Sequence, residues 1–413
     1  MRKIIASLDI GTSSIKLIVG EFIKNRLNIL CTSEVPSKGI KKGLIVRKDE
    51  LLPVLKETFH KAEEMLGIPV REVVLSVPAY YTEAQISEGT STITNEDHVV
   101  TYQDLIRAMH AASYNKIGED EELISILPTT FKVDNTVVKN PINMIGKKLA
   151  LKAVLITAPK SSVNDFLRVL EAIGVKVVDV VISPLADYAA NPFKEANTKV
   201  GAVINIGDET TTVSIFNKGI LTKAEVIELG GGNIDNDIAY IYKITKKDAR
   251  ELKEHLGLAC SDMARSEEKV TLTDRLGEEL VINQLDLSEI IESRLREILE
   301  LVKKQINLLT KREIEYIIVT GGSSEMGDFN NLIDKVFTKP HILGKIDIVG
   351  VRNNKFSTAV GIIKYYNGRL RLKNKEYSVF NLDELEILSG IHKKVSINEN
   401  SILGKLFGYF FDS

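Results

Sequence analysis

The stretch Ile4-Ile5-Ala6-Ser7-Leu8-Asp9-Ile10-Gly11-Thr12-Ser13-Ser14-Ile15-Lys16-Leu17-Ile18-Val19-Gly20 holds two apolar, β-rich runs joined by a four-residue turn. Such runs on either side of a glycine turn form a hairpin. The pattern returns at Val203-Ile204-Asn205-Ile206-Gly207-Asp208-Glu209-Thr210-Thr211-Thr212-Val213-Ser214-Ile215-Phe216. Aligning Asp9 with Asn205 sets Ile10 on Ile206 and Gly11 on Gly207, with apolar runs matched on both sides. Two copies are too few for a solenoid. They fit two related α/β halves facing a shared cleft, where ligands bind.

Working outward, a third strand is expected over 27–35, a helix over 51–66 stopped by Gly67-Ile68-Pro69, and a strand over 73–77. The texture then turns polar around one helical run, 102–114, flanked by strand-like pieces at 122–133 and 148–157. A core strand resumes at Val154-Leu155-Ile156-Thr157-Ala158, so 81–158 reads as an inserted subdomain. Helix 162–173, strand 176–182 and helix 183–190 follow, an α/β alternation. The first domain is therefore assembled from 1–80, 159–195 and 356–370, and the second spans 196–355 with a helix-rich part near 234–310. Residues 371–400 are expected to form a tether, beginning in a charge run, Arg369, Arg371, Lys373 and Lys375, that reads as a solvated strand or part of that tether.

Composition narrows the function classes. The 413 residues are 44% apolar and 27% charged, as in globular proteins, and the net charge of −2 lacks the footprint of a nucleic-acid binder. Two cysteines, Cys31 and Cys260, make no disulfide framework and suit a reducing cytoplasm. No apolar run is long enough to span a bilayer, and Asp9 interrupts the only stretch resembling a signal peptide. The six histidines lack metal-ligand spacing.

Polyphosphate binding needs backbone N–H groups in tight turns, a cation, and one or two carboxylates for Mg²⁺. The first hairpin offers Asp9 at a strand end, Gly11, Thr12 and Ser13 in the turn, and Lys16 on the returning strand. Gly207, Asp208, Thr210 and Thr211 would clamp the phosphates from the opposite side. Two downstream glycine clusters, Gly230-Gly231-Gly232 and Gly321-Gly322-Ser323, strengthen the reading. No P-loop lysine pattern or Gly-x-Gly-x-x-Gly helix start is present.

Together these residues resemble the actin-like ATPase superfamily (actin, heat-shock chaperones, sugar kinases). Asp9–Lys16 and Asn205–Thr212 are similar to its two phosphate motifs, and Ile318-Val319-Thr320-Gly321-Gly322-Ser323 to its adenosine motif. Ile182–Ala186 and Phe356–Gly361 are similar to its connecting segments. Within the superfamily, Ser37-Lys38-Gly39-Ile40-Lys41-Lys42-Gly43-Leu44-Ile45-Val46, Glu228–Gly232, Asp237–Ala239, Ala249–Lys253 and the insertion resemble the bacterial FtsA family. The resemblance implies a duplicated, ribonuclease H-like two-domain α/β fold with a nucleotide cleft and an FtsA-type subdomain. It implies ATP and Mg²⁺, with Lys253 added to the nucleotide-binding set and the metal held by Asp9 and Asn205 through water. Three positions depart from the family pattern: Asn205 stands where Asp is usual, Glu209 where glycine is common, and Arg250 where an acid often meets the ribose. Weak or absent hydrolysis is therefore expected.

The resemblance further implies FtsZ as partner, docked on the helix-rich part, self-association into protofilaments through the insertion, and a site at the cytoplasmic face of the membrane where division occurs. A kinase acting on a sugar and a scaffold for another membrane machine, such as pilus assembly, remain the rival readings. In the last segment, Leu403, Leu406, Phe407 and Phe410 follow i, i+3, i+4, i+7 spacing on one helix face. A short apolar helix on a tether reads as a lipid-surface anchor, each large side chain contributing about 1.5–3 kcal/mol on burial. Docking on the protein's own surface or a partner is the alternative, and the family resemblance favours the membrane.

Overall fold

The computed structural model describes residues 2–394. The expected terminal helix, 401–413, with Leu403, Leu406, Phe407 and Phe410, lies outside the described residues. Strands β1 (Lys3–Ile10), β2 (Ser14–Ile23) and β3 (Arg26–Pro36) form an antiparallel ribbon. A two-strand hairpin, β4 (Ile40–Lys41) and β5 (Leu44–Ile45), carries Lys42-Gly43 at its tip, both with positive φ. Helix α1 (Lys48–Leu66) ends where Gly67 turns left-handed at φ 71° and returns its N–H to Glu63 O. Strand β6 (Glu72–Val77) then pairs parallel with β1.

The insertion folds as a unit with its own core. It comprises β7 (Glu83–Thr92), α2 (Tyr102–Ser113), β8 (Glu121–Val133), β9 (Thr136–Val138) and β10 (Lys148–Pro159), in sheet order β7-β10-β8-β9. Thr101 and Asp104 close a reciprocal cap at the start of α2. Strand β7 had no signal in the polar text after residue 81. Its buried positions are Ser87, Gly89 and Ser91, small residues lying under α2, rather than an apolar alternation.

The chain re-enters the first half through α3 (Lys160–Glu171), β11 (Lys176–Ile182) and α4 (Ser183–Ala190). The second half repeats the plan: β12 (Val200–Ile206), β13 (Thr211–Asn217) and β14 (Ile220–Ile227) form the ribbon. Next come α5 (Gly231–Ile241), α6 (Lys246–His255), the hairpin β15 (Lys269–Thr273) and β16 (Glu279–Asn283), and α7 (Gln284–Leu309). Strand β17 (Tyr316–Thr320), α8 (Phe329–Val336) and β18 (His341–Leu343) complete it. The two sheets run β3-β2-β1-β6-β11 and β14-β13-β12-β17-β18. Each therefore has a three-strand antiparallel ribbon followed by two parallel strands, with Asp9 opposite Lys16 and Asn205 opposite Thr212 in equivalent registers. The duplicated α/β architecture expected from the sequence is present.

Helix α9 (Ser357–Leu372) returns to pack on α4, and α10 (Leu382–Lys394) closes the described chain. Here the structure corrects the expected tether. Arg369 is half-buried in α9 and pairs with Asp179 at 3.0 Å, because Ile362, Ile363, Tyr366 and Leu370 continue one apolar helix face through the charge run. Val379, Phe380, Leu385 and Leu388 join the first core, and the Val379 N–H donates to Ile4 O at 2.9 Å. Among the described residues no helix is long and apolar enough to cross a membrane.

Candidate functional site

The two hairpin turns close identically. Gly11 N–H donates to Ser14 O at 3.2 Å, and Gly207 N–H to Thr210 O at 2.9 Å. Both turns face one cleft of about 680 Å³ between the halves. Its wall brings together Asp9, Gly11, Thr12, Ser13 and Lys16 from the first half. Asn205, Gly207, Asp208, Thr210, Gly231, Lys253, Gly321, Gly322 and Ser323 come from the second. Strands of both ribbons thus deliver their turns to a common opening, as a duplicated hairpin requires.

Three expected site residues lie elsewhere. Thr211 is fully buried and donates its hydroxyl to Leu229 O at 2.8 Å. Gly230 and Gly232 pack behind the second turn, outside the cleft wall. The N–H groups of Gly231 and Gly232 go to Gly207 O and Asp208 O, at 2.8 and 2.6 Å. The glycine cluster therefore buttresses the turn, because side chains there would strike its carbonyl oxygens: a Cβ on Gly230 would stand 2.6 Å from Asp208 O. Gly321 is different: its φ of 93° and a Cβ position 2.4 Å from Asn205 Oδ1 exclude any side chain at the strand-to-turn corner.

The electrostatics are paired throughout. Lys16 Nζ lies 3.7 Å from Asp9, both near the cleft floor. Burial pushes the Asp9 carboxyl above its ordinary value and Lys16 pulls it back. Lys253 Nζ sits 2.5 Å from buried Asp235 and donates to Gly231 O at 3.0 Å. Asn205 donates its amide to Asp187 at 2.8 Å and to Thr358 at 3.3 Å, and Thr358 donates to the same carboxylate at 2.8 Å. Burial raises the Asp187 pKa to about 7 against the opposing effect of those hydrogen bonds. An ionisable carboxyl is thus present one step behind Asn205, on α4, directly after the Ile182–Ala186 connecting segment and outside the residues expected at the site.

Glu209 is not part of the cleft wall. Its carboxylate accepts the Lys42 N–H at 2.7 Å across the opening, while Lys42 Nζ pairs with Glu228. The neighbouring Gly43 N–H donates to Thr12 Oγ1 at 2.9 Å, and Tyr80 at the root of the insertion donates to Lys42 O at 3.0 Å. The β4–β5 tip thereby touches both turns and the inserted subdomain. Lys355 adds a further cross-link to Glu34 at 2.7 Å.

Mg²⁺ keeps several waters and is held by one or two carboxylates plus phosphate. Asp9 and the carbonyl of Asn205 fit that minimal donor set. Among the described residues there is no cluster of three or more His, Cys, Asp or Glu side chains arranged as a dedicated cage. Lys16, Lys253 and the turn amides fit a polyanion. A second cavity, about 410 Å³, lies on the helix-rich part between α5 and α7, bounded by Asp237, Tyr240, Ile241, Ile290 and Arg294. Tyr240 is 85% exposed there.

The family model described as "Cell division protein FtsA" matches residues 202–361, and that described as "SHS2 domain inserted in FTSA" matches 80–157, the insertion. The chain is 32% identical to Cell division protein FtsA of Bacillus subtilis over 90% of this chain and 85% of that one. It is 29% identical to that of Borreliella burgdorferi over 99% and 98%. Among solved structures, a PilM–PilN type IV pilus biogenesis complex aligns at TM-score 0.58 and 15% identity, covering 87% of this chain and 97% of that one. MreB5 of Spiroplasma citri bound to ADP aligns at TM-score 0.56 and 14% identity over 90% and 98%. These likenesses fix the fold as actin-like, with an FtsA-type inserted subdomain, and the chain belongs to the FtsA family of cell-division proteins.

Proposed function

We propose that this chain binds ATP with Mg²⁺ between its two hairpin turns, self-associates, and tethers FtsZ to the inner face of the cytoplasmic membrane at the division site. The observation that carries the nucleotide reading is the pair of equivalent turns opening on one cleft, with a cation, Lys16 and Lys253, from each half. MreB5, a fold neighbour, is described as bound to ADP. In this reading the turn amides would orient the phosphates, Asp9 and Asn205 would hold Mg²⁺ through water, and the metal would supply charge neutralisation. Hydrolysis is weak or absent, because Asn205 is uncharged and its amide is committed to Asp187 and Thr358.

The α5–α7 cavity is the FtsZ docking place in this proposal. Membership in a cell-division family and an exposed aromatic beside paired charges support it, since such anchors dominate interface energetics. The segment 401–413 is the lipid anchor, supported by the spacing of Leu403, Leu406, Phe407 and Phe410. The test is co-sedimentation with FtsZ and liposomes, with and without ATP. The full chain is expected to pellet with liposomes and carry FtsZ down, and deletion of 401–413 to leave both in the supernatant. An unchanged distribution after deletion rejects the anchor, and FtsZ remaining in the supernatant rejects the tether.

A further inference from the structure

One side chain spans the cleft between the turns. From α6, the Arg250 guanidinium reaches Asp208 Oδ1 at 2.5 Å in the second turn and Ser13 Oγ at 3.1 Å in the first. Its Nε donates to buried Asp235 at 2.9 Å, and the side chain lines the cleft with about a third of its surface open. The two copies differ at this point: where the second turn has Asp208, the first has neutral Thr12. An acid in an anion-binding turn repels phosphate unless a cation stands against it. Of the neighbouring cations, Lys16 pairs with Asp9 and Lys253 with Asp235 and Gly231 O, and neither lies within salt-bridge distance of Asp208, which pairs with Arg250. A guanidinium has five N–H donors, so three contacts leave two for another acceptor.

We propose that Arg250 is a phosphate-binding residue, the side chain that cancels Asp208 and makes the second turn compatible with an oligophosphate. This rests on the nucleotide reading above and assigns a residue within it. Asp235 fixes the guanidinium from behind, Asp208 sets its plane, and the Ser13 hydroxyl is the neutral partner that a phosphate oxygen replaces. Charge-assisted bonds to phosphate exceed a bond to a hydroxyl in strength.

The experiment titrates the full chain calorimetrically with ATP, tripolyphosphate and adenosine, comparing the parent with Arg250→Gln, Arg250→Lys and the double change Arg250→Gln, Asp208→Gly. Arg250→Gln is expected to weaken ATP and tripolyphosphate by about 10- to 100-fold and leave adenosine unchanged. Arg250→Lys should lose less, and adding Asp208→Gly should recover most of the loss. Undiminished ATP affinity in Arg250→Gln overturns the proposal, as does a loss that adenosine shares and Asp208→Gly does not relieve. A parent that takes tripolyphosphate but not ATP rejects the nucleotide reading while leaving Arg250 measurable on the simpler anion. A parent that takes neither rejects both.

Discussion

Glu292 on α7 accepts from the Ser261 N–H at 2.6 Å, the Ser261 hydroxyl at 2.8 Å, Arg296 at 2.5 Å and Lys335 of α8 at 3.1 Å. Burial opposes its ionisation, but these donors outweigh it and hold the carboxyl down at about 2. A carboxylate lowered on folding contributes stability above its ordinary value near 4.5, lost as pH falls through about 2. Glu292→Gln should therefore cost on the order of 3 kcal/mol at pH 7, the difference from the parent shrinking as urea melts are repeated from pH 5 to pH 3. A pH-independent difference contradicts the ion-pair origin. Long-range partners of this kind also mark the limit of sequence reading at the cleft, which Glu292 itself does not line. Asp9, Gly11 and Lys16 were legible because a turn is local. Lys42 and Glu209 were not, since their contact joins positions 167 apart and nothing near either foreshadows it. Glu209, set where glycine is common, is turned toward that distant partner and stands outside the cleft wall.

At the scale of elements, the crossing of α4 and α9 places two backbones in direct contact. A Cβ on Gly361 would lie 1.9 Å from Ala186 O, whereas Gly368, further along α9, has nothing within 4 Å of its Cβ position. Gly361→Ala should destabilise by ~3 kcal/mol or more through forced separation of the helices. Gly368→Ala should stabilise by ~0.5–1 kcal/mol from helix propensity alone. Thermal melts of the two variants should move in opposite directions, and equal shifts would reject the close crossing. Elements with strong local signals were legible: α1 stops at Gly67, and the β1–β2 turn falls at the glycine where a hairpin is expected. The end of α9 was not, because its charges alternate like a strand while its apolar face keeps helical spacing. Segment 375–388 was misread for a related reason: Val379 and Phe380 are too few to show a period, and only the first core gives them a place.

For the whole molecule, duplication was the most informative feature of the text, since it announced two equivalent sheets and a cleft before any contact was known. What it could not announce is how the halves are fastened. Arg250, the β4–β5 tip and Lys355 each cross the opening, and Tyr80 ties the inserted subdomain to the same tip. A ligand held by both turns would thereby act on both halves and on the insertion together. The decisive measurement is a calorimetric titration of ATP in Mg²⁺ against the parent, Lys16→Ala and Lys253→Ala. Saturable binding of one ATP per chain is expected, weakened at least about tenfold by either substitution. Absence of saturable binding, or affinity untouched by both changes, would contradict a triphosphate gripped from the two sides.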